Sequence, residues 1–140
     1  MEDVILSEIA SRVVPVIHLF GMYVIVHGHL SPGGGFAGGN VMGIAIVLFA
    51  LVFGLKTTLR FIPEVPLTVL TTLGPTWYAA TGLVGISLGH QFLANGQAGV
   101  PLGNAGAVLS SGLIPVITLG VGISVALTVV VLFVALVEED

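Results

Sequence analysis

Charged side chains are missing from most of this chain, and their spacing limits its possible folds more than any other feature. No Asp, Glu, Lys or Arg occurs in the 43 residues between Arg12 and Lys56, and none occurs in the 73 residues between Glu64 and Glu138. A membrane-crossing helix needs about 20 mainly apolar residues, so each stretch has room for two helices and a turn. Only 7% of the residues are charged, against about 25% in soluble domains. The sequence therefore predicts an integral membrane protein.

Each apolar segment is predicted to be a helix, because backbone groups in lipid must find their hydrogen-bond partners within the chain. We expect an all-α protein that forms a single membrane domain over residues 1–140, with four transmembrane helices. The predicted helices span about residues 12–28, 35–55, 67–92 and 108–137. For the third helix two alternatives stay open: a kink at Pro75, or a segment 67–73 that lies along the membrane surface. The fourth is too long for an upright span, so it is expected to tilt, to kink at Pro115 or to protrude.

The few basic residues predict an orientation. Four spans place both termini on one side of the membrane, and Arg12, Lys56 and Arg60 fall on that same side. Cytoplasmic segments of membrane proteins carry an excess of Lys and Arg. We therefore expect both termini to be cytoplasmic, and the segment 27–39 to lie at the outer face.

Residues 27–40, HGHLSPGGGFAGGN, hold the densest motif in the chain. Gly33, Gly35 and Gly38 spell G-x-G-x-x-G, the dinucleotide-binding fingerprint. That fingerprint needs a preceding strand and an acidic residue about 20 positions further on. Here the preceding segment is long and apolar, and the next acid is Glu64. The motif is therefore not predicted to bind a nucleotide, and without a basic patch the chain is not predicted to bind nucleic acid.

The same glycines suit the close packing of membrane helices. Two sets repeat at four-residue spacing: Gly34 with Gly38, and Gly35 with Gly39 and Gly43. Small residues at this spacing on a helix let a neighbouring backbone approach closely. A further set lies in the third predicted helix: Gly82, Gly85 and Gly89. We expect the glycines of residues 33–43 either to pack the first and second helices together or to shape an ion path beside them.

Histidines are the only ionisable side chains inside the predicted spans. His18 lies about 9 Å from Arg12 along a helix that rises 1.5 Å per residue, so it is a candidate proton relay or a structural hydrogen-bond donor. His27, His29 and His90 lie near the membrane interfaces, where hydrogen bonding alone explains them. Ion-coupled transport usually rests on a buried Asp or Glu, and the predicted spans contain neither. The chain alone is therefore not expected to be a complete carrier.

No catalytic site, cofactor site or metal site is predicted. The chain contains no cysteine, which excludes disulfides, thiolate catalysis and cysteine-ligated metal clusters within it.

Taken together, Gly28-His29, the run from Ser31 to Phe36 and Gly38-Gly39 resemble a known signature. It is that of the B subunit of Mrp-type (Mnh) multisubunit sodium/proton antiporters, G-H-N-x-P-G-G-G-F-x-G-G. Thr81-Gly82-Leu83 and the segment 113–122, LIPVITLGVG, are similar to the third and fourth helices of that family. The resemblance implies an accessory four-helix subunit of a prokaryotic cell membrane. Its implied partners are other Mrp-like membrane subunits in a hetero-oligomer, the lipid bilayer, and sodium ions or protons.

Two positions depart from the family pattern. Leu30 stands where the family usually shows Asn, and Thr118 stands where antiporter sequences commonly show an acidic residue. The same subunit type also occurs in archaeal respiratory complexes, joined to a membrane-bound hydrogenase or sulfane-sulfur reductase, and both departures favour that branch. We expect the chain to help form or seal an ion path there, and the alternative is an autonomous homo-oligomeric channel or carrier. The candidate residues are His18, His29, Gly33, Gly34, Gly35, Gly38, Gly39 and Thr118.

Overall fold

Every regular element in the described part of the protein is a helix. The computed structural model describes residues 3–96 and 99–138, and no strand occurs among them. The helices are α1 (Val4–Val26), α2 (Gly34–Phe53), α3 (Leu55–Phe61), α4 (Glu64–Ser87) and α5 (Ile114–Glu138). The predicted all-α fold is therefore confirmed, whereas the bounds of the individual helices differ from the prediction.

The first helix begins at Val4 rather than at Arg12. The prediction started the helix at the last charge before the apolar run, but a helix ends where its backbone hydrogen bonding ends, not where its side chains become polar. Glu8 and Arg12 lie four residues apart and form an ion pair on the exposed surface, an arrangement that favours a helix. The charged turns therefore continue the apolar helix.

The second helix ends at Phe53, because Gly54 takes a φ of +89°, which only glycine adopts without strain. The short helix α3 follows, and its existence was not predicted. It carries both basic residues of this connection, Lys56 and Arg60, and buries Thr58 almost completely. The segment between the second and fourth helices is thus a packed element and not an open loop.

The fourth helix is continuous from Glu64 to Ser87 and runs through Pro75 without a break. Residues 67–73 belong to this same helix, so they do not form a separate surface segment. The helix ends earlier than predicted, and His90 therefore lies in the connection to α5.

The fifth helix begins at Ile114, later than predicted. Pro115 falls in its first turn, where a missing backbone N–H removes no helical hydrogen bond. The chain before it, from Leu88 to Leu113, contains no helix among its described residues. The connection between α4 and α5 is therefore longer than the sequence indicated.

The helices lie side by side in the order α1, α2, α5, α4. Contacts pair rising residue numbers in α2 with rising numbers in α5, so these two central helices run parallel, while α1 and α4 run antiparallel to them. A buried apolar cluster of Leu67, Leu127, Val130 and Val134 joins α4 to α5 at the end of the bundle where α3 lies.

Three helices are long and apolar enough to cross a membrane: α1, α2 and α5. Helix α4 has 24 residues but contains five threonines, and it does not meet the same criterion within the described residues. Three of the four predicted spans thus have a helix of the required length and composition.

Candidate functional site

The turn between α1 and α2 is built from the glycine-rich motif. The His27 carbonyl accepts hydrogen bonds from the backbone N–H of Leu30 and Ser31, each at 2.9 Å, which reverses the chain just after α1. Gly33 and Gly34 then take φ values of +134° and +76°. A side chain at either position would strain the backbone, so these two glycines are needed to start α2 at this point.

One face of α2 packs against the backbone of α1. A Cβ atom placed on Gly38 would lie 2.7 Å from the Gly21 carbonyl oxygen and 2.9 Å from the Ile25 backbone nitrogen. On α1, a Cβ atom on Gly21 would lie 3.0 Å from the Gly38 carbonyl oxygen. Real Cβ atoms essentially never come this close to backbone atoms, so the two helices approach closely only because both positions are glycine.

A second face of α2 packs against the backbone of α5. Cβ atoms on Gly35 and Gly39 would collide with the carbonyl oxygens of Thr118 and Gly122, respectively. One on Gly43, a turn further on, would lie 2.8 Å from the Ala126 carbonyl oxygen. The stripe of Gly35, Gly39 and Gly43 thus lies along α5, and not along α1.

The sequence interpretation pairs these glycines with the first helix, whereas the stripe contacts α5. Thr118, Gly122 and Ala126 are themselves small residues at four-residue spacing in α5. Two such stripes are a signal of close helix packing in membranes, and matching them would have paired α2 with α5.

The glycines of α4 have a different neighbour from the expected helix. A Cβ atom on Gly82 would collide with the ring of Phe92, and one on Gly85 would lie 2.5 Å from the Gln91 carbonyl oxygen. Both belong to the connection that follows α4, which folds back along the helix. Gly89 lies beyond the end of the helix with a φ of +80° and open space around it, so this set is not a helix-packing stripe.

Thr118 directs its hydroxyl group to its own helix. The Oγ1 atom donates a hydrogen bond to the Pro115 carbonyl at 3.0 Å, and the Thr118 carbonyl is the group that faces Gly35. The residue therefore takes part in the α2–α5 contact through its backbone.

His18 lies at the edge of a cavity of about 380 Å³ between α1, α2 and α3. Its Nδ1 atom lies 2.9 Å from the Val14 carbonyl oxygen. A carbonyl oxygen only accepts hydrogen bonds, so Nδ1 carries a proton and donates to its own helix. The cavity wall is otherwise formed by apolar side chains, chiefly Ile46, Phe49 and Phe61.

His29 connects two parts of the chain that are distant in sequence. Its Nε2 atom donates a hydrogen bond to the Ala107 carbonyl at 3.1 Å, joining the α1–α2 turn to the connection between α4 and α5. No pattern in the sequence indicates this partner. The second ring nitrogen, Nδ1, is buried and has no hydrogen-bond partner among the described residues.

The predicted residues thus form two groups. Gly35, Gly38 and Gly39 meet the neighbouring helices, while His29 lies at the turn and contacts the long connection. His18 lies apart from both, about 12 Å along α1 from the turn at 1.5 Å per residue. No cluster of metal-ligating side chains occurs within residues 3–96 and 99–138. The arrangement joins helices through their backbones.

Comparison with known proteins gives consistent results. Residues 5–131 match the family model described as a domain related to the MnhB subunit of Na⁺/H⁺ antiporters. Relatives in Staphylococcus aureus strains Newman and JH1, each called a putative antiporter subunit mnhB2, are 33% identical over 92 residues. That match covers 66% of this chain and 64% of each relative.

A solved structure is also similar. It is that of a membrane-bound sulfane sulfur reductase, an archaeal respiratory membrane complex, with 37% sequence identity and a TM-score of 0.77. The match covers 93% of this chain but 56% of the solved chain. This chain thus spans less than two thirds of the length of the relatives and of the solved chain that it matches.

Proposed function

The chain belongs to the family of domains related to the MnhB subunit of Na⁺/H⁺ antiporters, and from this we propose that it is an accessory membrane subunit of a multisubunit complex that moves sodium ions or protons. In this role it binds other Mrp-like membrane subunits and helps to form or seal the ion path. The chemistry that drives transport belongs to those partners.

The observation that carries the proposal is the glycine-lined contact of α2 with both of its neighbours. Gly38 meets α1, while Gly35 and Gly39 meet α5, each at a distance that leaves no room for a side chain. Helices this close leave no space for a water-filled path between them. Such a bundle serves as a rigid wall beside a path, which supports the role of a sealing subunit.

The polar groups of the spans support the same role. Between Arg12 and Lys56 the chain has no carboxylate, and the hydroxyl of Thr118 bonds to its own helix. Since cation-coupled transport usually needs a buried carboxylate, the ion-binding acid is expected on a partner subunit. His18 and His29 remain the polar candidates for contact with the path.

We propose four spans in a single membrane domain, residues 1–140, within the prokaryotic cell membrane. Helix α4 is antiparallel to α5, and its 24 residues are about 36 Å long at 1.5 Å per residue. That length is sufficient to cross the hydrocarbon core, which is about 30 Å thick. Four of the five threonine hydroxyls bond to carbonyls of the same helix, which lowers the cost of placing them in the membrane. Both termini then lie on the side of Lys56 and Arg60, which the positive-inside rule makes cytoplasmic.

We propose that the complex is of the respiratory type. The solved sulfane sulfur reductase complex contains a chain with this fold at 37% identity. Leu30 and Thr118 replace the Asn and the acid that are usual in the antiporters. The redox partner is therefore a reductase or hydrogenase module attached to the same membrane subunits.

Purification under mild conditions tests the proposal. The tagged chain, expressed in its own host and extracted in a mild detergent, is expected to co-purify with larger membrane subunits in fixed proportion. Reconstituted alone in liposomes, it is expected to move neither sodium ions nor protons. A single homo-oligomeric species that transports ions by itself would instead establish an autonomous channel or carrier.

A further inference from the structure

Part of the connection between α4 and α5 forms a closed loop of its own. The Ser111 backbone N–H donates to the Leu102 carbonyl at 2.7 Å, so the two ends of the segment 102–111 meet. Within the segment, the Ala107 N–H donates to the Asn104 carbonyl at 3.1 Å. Compact surface loops of about 6–16 residues with adjacent ends are Ω-loops, which are frequently functional. We call residues 102–111 the cap loop.

The base of the cap loop is anchored and strained. The Asn95 side chain donates through Nδ2 to the Ser111 carbonyl at 3.1 Å and accepts through Oδ1 from the Leu113 N–H at 3.0 Å. Gly103, Ser111 and Gly112 all have positive φ, and that of Ser111 is +73°. A residue with a side chain is uncommon in this region and stores strain there. The base is therefore the place where the loop turns.

The tip of the cap loop is held by one side chain of the opposite turn. His29 Nε2 donates to the Ala107 carbonyl at 3.1 Å, while His29 Nδ1 is buried without a partner among the described residues. The free-energy cost of burying an unpaired polar atom equals or exceeds the free energy that one neutral hydrogen bond contributes. The closed position is therefore close in free energy to an open one, in which water reaches Nδ1.

A pocket of about 390 Å³ lies between the cap loop and the turn. His29 and Leu30 line it from the turn, and Leu102, Ala105 and Ser110 line it from the cap loop. Ser110 is only 3% exposed, so it is covered while the loop is closed.

We propose that the cap loop is a lid over this pocket, with His29 as its latch and the segment around Ser111 as its hinge. With the latch formed, the pocket stays open on one side, but the loop covers Ser110 on its inner wall. When the latch breaks, the loop lifts and water reaches Ser110. The lid stands on contacts within this chain alone, and so goes beyond the role proposed above.

Thiol labelling of the purified protein, with or without partner subunits, tests the lid, because the chain has no cysteine of its own. Ser110→Cys reports opening, and Leu109→Cys, at a position 87% exposed, gives the rate of unrestricted reaction. Labelling of this chain by a maleimide is followed by mass spectrometry. Ser110→Cys is expected to react completely, but at least about tenfold more slowly than Leu109→Cys.

Two variants of the latch separate its two nitrogens. His29→Gln keeps a donor at the place of Nε2 and removes the unpaired Nδ1, so Ser110→Cys is expected to react about fivefold more slowly. His29→Asn loses the donor to Ala107 and keeps a nitrogen near Nδ1, so the reaction is expected to be about threefold faster. Hydrogen exchange of the cap-loop amides, which needs no cysteine, is expected to give the same order.

The lid would be overturned if Ser110→Cys were labelled at equal rates in His29→Gln and His29→Asn, or in the opposite order. It would also be overturned if Ser110→Cys never reacted, or reacted as fast as Leu109→Cys. Labelling and exchange require neither transport nor any particular partner. Their failure would therefore leave the co-purification result intact, and a failed co-purification would leave the lid intact.

Discussion

Gly39→Ala tests whether α2 and α5 meet at backbone distance. The added methyl carbon would lie 2.9 Å from the Val125 Cβ and 3.1 Å from the Gly122 carbonyl carbon, and closer still to the Gly122 carbonyl oxygen. Ordinary contact begins at 3.4 Å, so relief of the closest contact, with the Gly122 carbonyl oxygen, requires α5 to move away by about 1 Å. None of these atoms can rotate out of the way, because two belong to the backbone and the third is fixed to it.

The magnitude follows from two opposed effects. Overpacking of a rigid contact costs about 1–3 kcal/mol, and this site falls in the upper half of that range because its contacts are backbone contacts. Alanine favours a helix over glycine by about 1 kcal/mol. The variant is therefore expected to lose about 1–2 kcal/mol of folding free energy, which lowers the ratio of folded to unfolded chain about 5–30-fold. An unfolded chain leaves the complex, so its retention falls.

Retention of the subunit in the complex is the suitable assay. The complex is warmed in mild detergent, and the fraction of this chain that migrates with its partners is followed on native gels against temperature. Ile44→Ala is the matched control, since Ile44 lies on the same helix with 55% of its surface exposed and its truncation is expected to change little. If Gly39→Ala is retained as well as the control, the two helices do not meet at backbone distance and the reasoning fails.

Three further predictions concern single contacts. Ser124→Ala removes a hydroxyl that donates to the Thr71 carbonyl at 2.8 Å across the α4–α5 contact and is expected to cost about 1 kcal/mol; on the same gels Thr128→Ala, whose hydroxyl bonds only to its own helix, should leave retention unchanged. Asn95→Ala frees the base of the cap loop, so limited proteolysis should cleave the connection to α5 about fivefold faster, and cleavage at the unchanged rate would contradict the anchoring. Arg12→Gln breaks an exposed ion pair, so the chain should lose no more than about 0.5 kcal/mol of stability, measured from its thermal midpoint. A larger loss would show that the Arg12 side chain makes a buried contact.

The helices could be predicted because their cause is local. A charge-free stretch long enough for two spans must fold back on itself, and glycine and proline residues mark the place of the turn. The same logic explains the errors. Charge marks where lipid ends and not where the helix ends, so the prediction started α1 at Arg12 although the helix begins at Val4. The predicted second helix includes Gly54, whereas the positive φ of this residue ends the helix. That φ depends on how α3 packs, which no local pattern in the sequence reveals.

The contacts of the site could not be predicted, because they join residues far apart in the chain. His29 and Ala107 are separated by 78 positions, and no local pattern pairs them. The cap loop consists of small and apolar residues whose order indicates only a loop. Its closure depends on backbone hydrogen bonds such as that between Ser111 and Leu102, which any sequence of suitable flexibility can form.

The dense glycines have a geometrical explanation that neither of their sequence interpretations included. Consecutive residues of a helix point about 100° apart, so Gly38 and Gly39 open two neighbouring faces of α2, one for α1 and one for α5. Because α1 and α5 pack closely on neighbouring faces of α2, they must also approach each other, and they do so at one point. A Cβ atom on Gly122 of α5 would lie 2.5 Å from the Ile25 side chain of α1. Three helices therefore meet around Gly38, Gly122 and Ile25, and a motif that serves both neighbours needs adjacent glycines as well as glycines four residues apart. Together with Gly33, which the turn needs for its positive φ, that requirement produces G-x-G-x-x-G without any phosphate to bind.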